Sequence, residues 1–256
     1  MTTQTVTLAG DTDWPGFRNE ARTLLARQVP PEAVVWHTRA SAEGDLFAAR
    51  EARRAVVGHS SASAVVPPAF VRLCETVVLH ADPARFGMLY RLLWRLVYEP
   101  GLRHDPLDVE RVRAQHMAQA VRREMHKMKA FVRFRPLARG EGLPPLHIAW
   151  FEPEHHIVEA VAPFFVRRFT QMHWAILTPD RSVRWHPADP DTGGLSEGHL
   201  DIGPGARRED APPADAGGAL TCYQPLRRAA AGVPDEAQAL AVSGPCHPTP
   251  SKPWPR

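Results

Sequence analysis

The chain has 256 residues, 44% of them hydrophobic, and a formal net charge of +3. That length suggests one large domain or two small ones with a real core. No apolar run approaches the roughly 20 residues a membrane helix needs, residues 1–10 lack the features of a secretory signal, and the chain is expected in the cytoplasm.

Val6–Leu8 reads as a strand. Asp13 then has the character of a helix N-cap, with Pro15 in the first turn. Phe17, Ala21, Leu24 and Leu25 follow at helical spacing, Pro30-Pro31 stops the helix, and Val34–Trp36 is a second strand. Strand, helix, strand over so short a stretch predicts a βαβ unit with a parallel pair. Residues 38–64, rich in Ala, Ser, Arg and Gly, read as a surface loop. A helical middle follows. Pro67-Pro68 opens a helix over Ala69–His80, Asp82-Pro83 opens one that runs to about Tyr98, and Asp105-Pro106 opens a third, long helix through Met125.

Beyond this the pattern changes to strands. Phe131–Arg135 and His147–Phe151 are predicted strands, a helix spans about His155–Phe169, and Trp174–Leu177 and Val183–Trp185 flank a turn at "TPDRS". The predicted fold is therefore α/β in the mixed α+β sense: an N-terminal βαβ unit, a helical middle, and a small C-terminal sheet with a packed helix. Residues 1–210 form the domain. Residues 211–256 hold few large apolar residues and much Pro, so a disordered tail is expected. Cys74, Cys222 and Cys246 are far apart and form no CxxC pair. Cys74 reads as a buried free thiol, and no disulfide framework, metal site or cofactor is expected from the chain alone. No GxGxxG, GxxxxGK[ST], GxSxG or HExxH motif is present.

Charge is unevenly spread. The window Arg111–Arg139 holds nine Arg or Lys against one acid, Glu124, a net of +8. Within it, "HKMKAFVRFRP" begins like a basic helix and ends like a strand. Strand alternation would place Lys129, Phe131, Arg133 and Arg135 on one face and Ala130, Val132 and Phe134 on the other. On the preceding helix, Arg122, His126 and Lys129 share a face, with Arg123 and Lys127 on the adjacent ridge. Phosphates need positive donors along a path and unpaired bases need flat partners, so these residues are candidates for nucleic-acid binding. Arg167 and Arg168, near a helix C-terminus, are a candidate continuation. A second constellation, Glu152, His155 and His156 in "AWFEPEHHIVEA", together with His126, offers candidate acid–base groups. Three readings stay open: a DNA-binding accessory protein, an enzyme acting on DNA in the manner of a glycosylase or nuclease, and a protein–protein adapter.

Four long motifs occur in order: "FGMLYRLLWRLVYEPGL", "AVRREMHKMKAFVRFRP", "AWFEPEHHIVEAVAPFFVRRF" and "MHWAILTPDRSVRW". With them the chain, from about Val6 to Asp210, resembles a bacterial family of DNA-repair or DNA-metabolism proteins whose biochemical activity is not established. The resemblance implies DNA, a radical SAM protein and a uracil-DNA glycosylase-like protein as partners, since family members are usually paired with the former and many are fused to a domain like the latter. It carries no catalytic assignment. The family continues with aromatic and Lys-rich segments, whereas here "LTCYQPLRR" gives way to Pro and Ala. The tail from about Gln224 thus reads as frameshifted or eroded.

Overall fold

The computed structural model describes residues 3–39, 66–188, 197–212 and 220–221, all within a unit spanning Met1–Gln224. From residue 40 onward the expected 38–64 loop lies outside the described residues, as does the expected tail apart from 211–212 and 220–221.

Strand β1 (Gln4–Leu8) pairs in parallel with β2 (Val34–Thr38) across helix α1 (Trp14–Ala26), which is the expected βαβ unit. The α1 N-terminus forms as its sequence requires: the Asp13 carboxylate accepts hydrogen bonds from Gly16 N (2.8 Å) and Ala9 N (2.9 Å). A Cβ at residue 16 would run into that carboxylate, so the cap needs glycine there. Phe17, Ala21, Leu24 and Leu25 are buried on the face that meets the sheet and the helical middle.

The helical middle comprises α2 (Pro68–Val77), α3 (Arg85–Tyr98) and α4 (Val109–Phe131). Cys74 is buried on α2, and burial pushes its thiol pKa up. Helix α4 starts later than Asp105-Pro106 suggests. Asp105 Oδ1 accepts Leu107 N (2.9 Å) and only closes a turn; the cap is Asp108, which accepts Arg111 N (2.9 Å). Asp108 also receives Arg95 Nη2 (2.8 Å), and Arg95 pairs with Glu99 and Glu110 as well, so one guanidinium fixes the start of α4 against α3. The hydrogen bond from Arg95 holds the Asp108 carboxyl below the usual carboxylate range.

The remaining strands make one six-stranded sheet in the order β7-β6-β5-β4-β3-β8: β3 (Arg133–Leu137), β4 (Leu146–Trp150), β5 (Trp174–Leu177), β6 (Arg181–His186), β7 (His199–Pro204) and β8 (Leu220–Thr221). Helix α5 (Val158–Arg168) crosses between β4 and β5, which pair in parallel; every other neighbour is antiparallel. One sheet face packs Phe134, Ala149, Trp174, Ile176, Val183 and Trp185 against the apolar sides of α5 and α4. The Phe134 ring meets Phe165 and Phe169 nearly edge-on at 5.8 and 5.3 Å. Among the described residues no helix is long and apolar enough to cross a membrane.

Candidate nucleic-acid interface

The basic window divides at the junction of α4 and β3. The helix runs further than strand alternation suggests: Lys129, Ala130 and Phe131 are the last turn of α4, and β3 begins only at Arg133. The reason is local. Arg133 folds back, and its Nη1 donates to the carbonyls of Ala130 (2.9 Å) and Val132 (3.2 Å), closing the end of the helix where acceptors lack partners. The in–out alternation still holds across the junction, with Val132 and Phe134 buried and Phe131 64% exposed.

Arg122, Arg123, His126 and Lys127 are exposed along the C-terminal half of α4. Lys129 is half-buried, and its Nζ stands 5.4 Å from the centre of the Phe164 ring on α5. Arg167 and Arg168 follow Phe164 by three and four residues, on the next turn of the same helix, and both are exposed. The guanidinium of Arg168 lies over Phe169 at 5.6 Å. Arg135, on β3, is half-buried and engaged. The candidate cations of α4 and α5 thus stand on adjoining elements bridged by the Lys129–Phe164 contact.

Their electrostatic setting differs from that of cations earlier in the helical middle. Arg91, Arg95 and Arg113 all pair with carboxylates. Among the described residues, Arg122, Arg123, Lys127, Lys129, Arg167 and Arg168 form no salt bridge. Glu124, the one acid of the window, turns inward: its two oxygens accept Glu154 N (2.7 Å) and His155 N (2.9 Å), which tethers α4 to the segment before α5.

Residues 83–213 match the model of a domain of unknown function, DUF4130. The chain belongs to the DUF4130 family. No curated protein and no solved structure matches it. The DUF4130 region takes in α3, α4, α5 and strands β3 to β7, and therefore every candidate residue named above. The βαβ unit precedes it.

The second constellation is spread out within the DUF4130 region. Glu152 accepts the Trp150 indole N–H (2.6 Å). His155 is buried, receives Ala81 N on Nδ1 (3.4 Å) and packs its ring on His80 at 4.3 Å between centroids. His155 and His156 both line a cleft of about 300 Å³ with Asp11, Glu159, Asp180 and Arg181; neither Glu152 nor His126 lines it. Burial lowers the His156 pKa, so its imidazole is neutral at pH 7, with Nδ1 3.7 Å from Asp180. A neutral imidazole can accept a proton, but the four groups do not converge on one reacting atom.

Sequence reading missed Arg85. It is 2% exposed and anchors this side of the molecule, donating to Val78 O (2.8 Å), Asp82 O (3.1 Å) and Asp11 O (2.7 Å) and pairing with the Asp11 carboxylate at 3.3 Å. "DPARFG" shows only an arginine near a helix start, and nothing in that pattern marks it as buried.

Proposed function

We propose that this DUF4130 protein is a DNA-binding accessory protein of DNA repair or DNA metabolism. It grips a nucleic-acid backbone with Arg122, Arg123, Lys127 and Lys129, extends the path through Arg167 and Arg168, and stacks a base on Phe131. The observation that carries this reading is the segregation of charge: near the start of α4 Arg113 pairs with Asp82 and Arg111 is taken up by backbone carbonyls, whereas among the described residues the cations of its C-terminal half form no ion pair. Unpaired cations in a row release phosphate counterions on binding, and an exposed ring at the end of the row gives a stacking platform. Arg133 contributes less than its sequence position suggests, because part of its guanidinium closes α4. A partner enzyme, a radical SAM or uracil-DNA glycosylase-like protein, would supply the chemistry. That part rests on the motif resemblance, and the separation of His126 and Glu152 from the cleft that His155 and His156 line agrees with it.

Fluorescence anisotropy with labelled single- and double-stranded DNA tests the reading. The Arg122/Arg123/Lys127 triple-alanine variant should weaken binding about tenfold or more at low salt, on any sequence. The control removes the same charge elsewhere, at exposed Arg18 and Arg22 of α1 and Arg27 at its C-terminal cap, and should bind like wild type. Equal losses in the two variants, or no binding by wild type at low salt, would remove the reading. The second outcome would point to an acidic protein as the partner of the basic face.

A further inference from the structure

The end of the sheet farthest from β8 carries a group of side chains unrelated to the basic face. His186 on β6 lies directly opposite His199 on β7, and Asp201, two residues on, falls on the same face of β7. The two imidazoles are stacked, 4.7 Å apart and 12° from parallel. Both direct Nε2 at one oxygen: Asp201 Oδ2 is 3.3 Å from His186 Nε2 and 3.4 Å from His199 Nε2. All three donor atoms lie within 4.8 Å of one another.

These separations are long for hydrogen bonds, whose N···O distances cluster near 2.9–3.0 Å. They suit a coordination shell. Bonds of about 2.0–2.1 Å to a tetrahedral ion put neighbouring ligand atoms about 3.3–3.4 Å apart. Two nitrogens and a carboxylate oxygen are a donor set of intermediate softness, better matched to Zn²⁺ and its first-row neighbours than to Mg²⁺ or Ca²⁺, which take mostly oxygen. We propose that His186, His199 and Asp201 form a binding site for a divalent transition-metal ion of the Zn²⁺ type.

Several features fit this assignment. The ligands sit on paired strands, whose ladder holds them in register without help from a loop. His173, just before β5, presents its ring to His186 nearly edge-on at 6.1 Å, and its buried Nδ1 has no hydrogen-bond partner among the described residues. Three protein ligands leave a fourth position for water or a ligand atom, the arrangement of reactive rather than purely structural zinc sites. That position is reachable: His199 and Asp201 side chains are 64% and 58% exposed. Asp201 also lines a groove of about 580 Å³ that runs along the sheet face past Arg184 and Gly203. The sequence signal was slight, one His-x-Asp on a strand with its second histidine on the neighbouring strand.

Tag-free full-length protein, stripped with chelator, would be titrated with Zn²⁺ by calorimetry and with Co²⁺ by visible absorption. One saturable equivalent is expected, with four-coordinate Co²⁺ bands and a rise in Tm on adding Zn²⁺. His199→Ala and Asp201→Asn should each weaken Zn²⁺ by at least about tenfold, a loss typical even for supporting residues of metal sites. His116→Ala, an exposed histidine on α4, should leave it unchanged, and Mg²⁺ should not compete. The site is overturned if binding is not saturable at one equivalent, if both ligand variants bind like wild type, or if His116→Ala loses as much as they do. Circular dichroism checks that each variant is folded. DNA binding can be read independently on the same proteins.

Discussion

A buried guanidinium needs an acceptor for each N–H it takes out of water, and Arg85 finds them in three backbone carbonyls and the Asp11 carboxylate. It thereby joins the β1–α1 loop to the segment between α2 and α3. Lysine cannot reproduce that fork. Arg85→Lys and Arg85→Met are both expected to cost about 1.5–3 kcal/mol, the range for hydrogen bonds to a charged group, read as a lower urea midpoint. Phe131 is the opposite case, a large ring left in solvent. Removing it loses no core, so Phe131→Ala should leave the urea midpoint unchanged while weakening single-stranded DNA binding by about 1–3 kcal/mol, the usual worth of one stacked base. A lower midpoint with intact DNA binding would make it a packing residue. The exposure of Phe131 was legible, because Val132 and Phe134 claim the inner face by alternation. The burial of Arg85 was not, since it depends on Asp11, 74 residues away in sequence, whose carbonyl and carboxylate close over the guanidinium.

Helix α4 does two jobs with two ends. Its first turns are fastened to α3 by Arg95 and Asp108, and its middle is fastened to the β4–α5 segment by Glu124. Glu124→Ala would leave two backbone N–H groups without their charged acceptor, at a cost of about 1.5–3 kcal/mol. Arg122/Arg123/Lys127→Ala should change stability by no more than about 0.5 kcal/mol per substitution, since surface cations without partners contribute little. Chemical denaturation of the two variants separates fastening from binding, and a large loss in the triple variant would count against a free basic row. Most elements were legible because their apolar spacing was regular: α1, the two strands beside it, and the strands β4 to β6 fall within a few residues of expectation. The two ends of α4 were harder. Asp105 and Asp108 are equally good caps by type, and only the Arg95 contact favours the second. At the other end, "AFVRFR" alternates like a strand from its first residue, and the fold-back of Arg133 lets the helix persist to Phe131.

For the whole molecule, three histidines among the described residues link folding to pH. Burial lowers the pKa of His80, His156 and His173; at His80 and His156 the neighbouring His155 and Arg85 add to the effect, and Asp11, Asp180, Asp82 and Glu154 oppose it. A group whose folded pKa is depressed binds protons more readily when unfolded. Stability is therefore full above the ordinary histidine value of about 6.5 and falls as pH drops below it, until the folded pKa is reached. His156→Gln should flatten that fall in urea midpoints measured between neutral and mildly acid pH; an unchanged profile would mean His156 is not held neutral. The charge distribution makes the larger claim. A net charge of +3 says little about nucleic acid, and only the pairing pattern, visible once the chain is folded, separates cations committed to carboxylates from those left available. The direct measurement is the slope of log Kobs against log salt for DNA binding. Four phosphate contacts from α4 give a slope of about −3 to −4, and the Arg122/Arg123/Lys127→Ala variant should lose about 2–3 of that magnitude. A flat wild-type slope, or one equally steep in the variant, would contradict the assignment of DNA to this face.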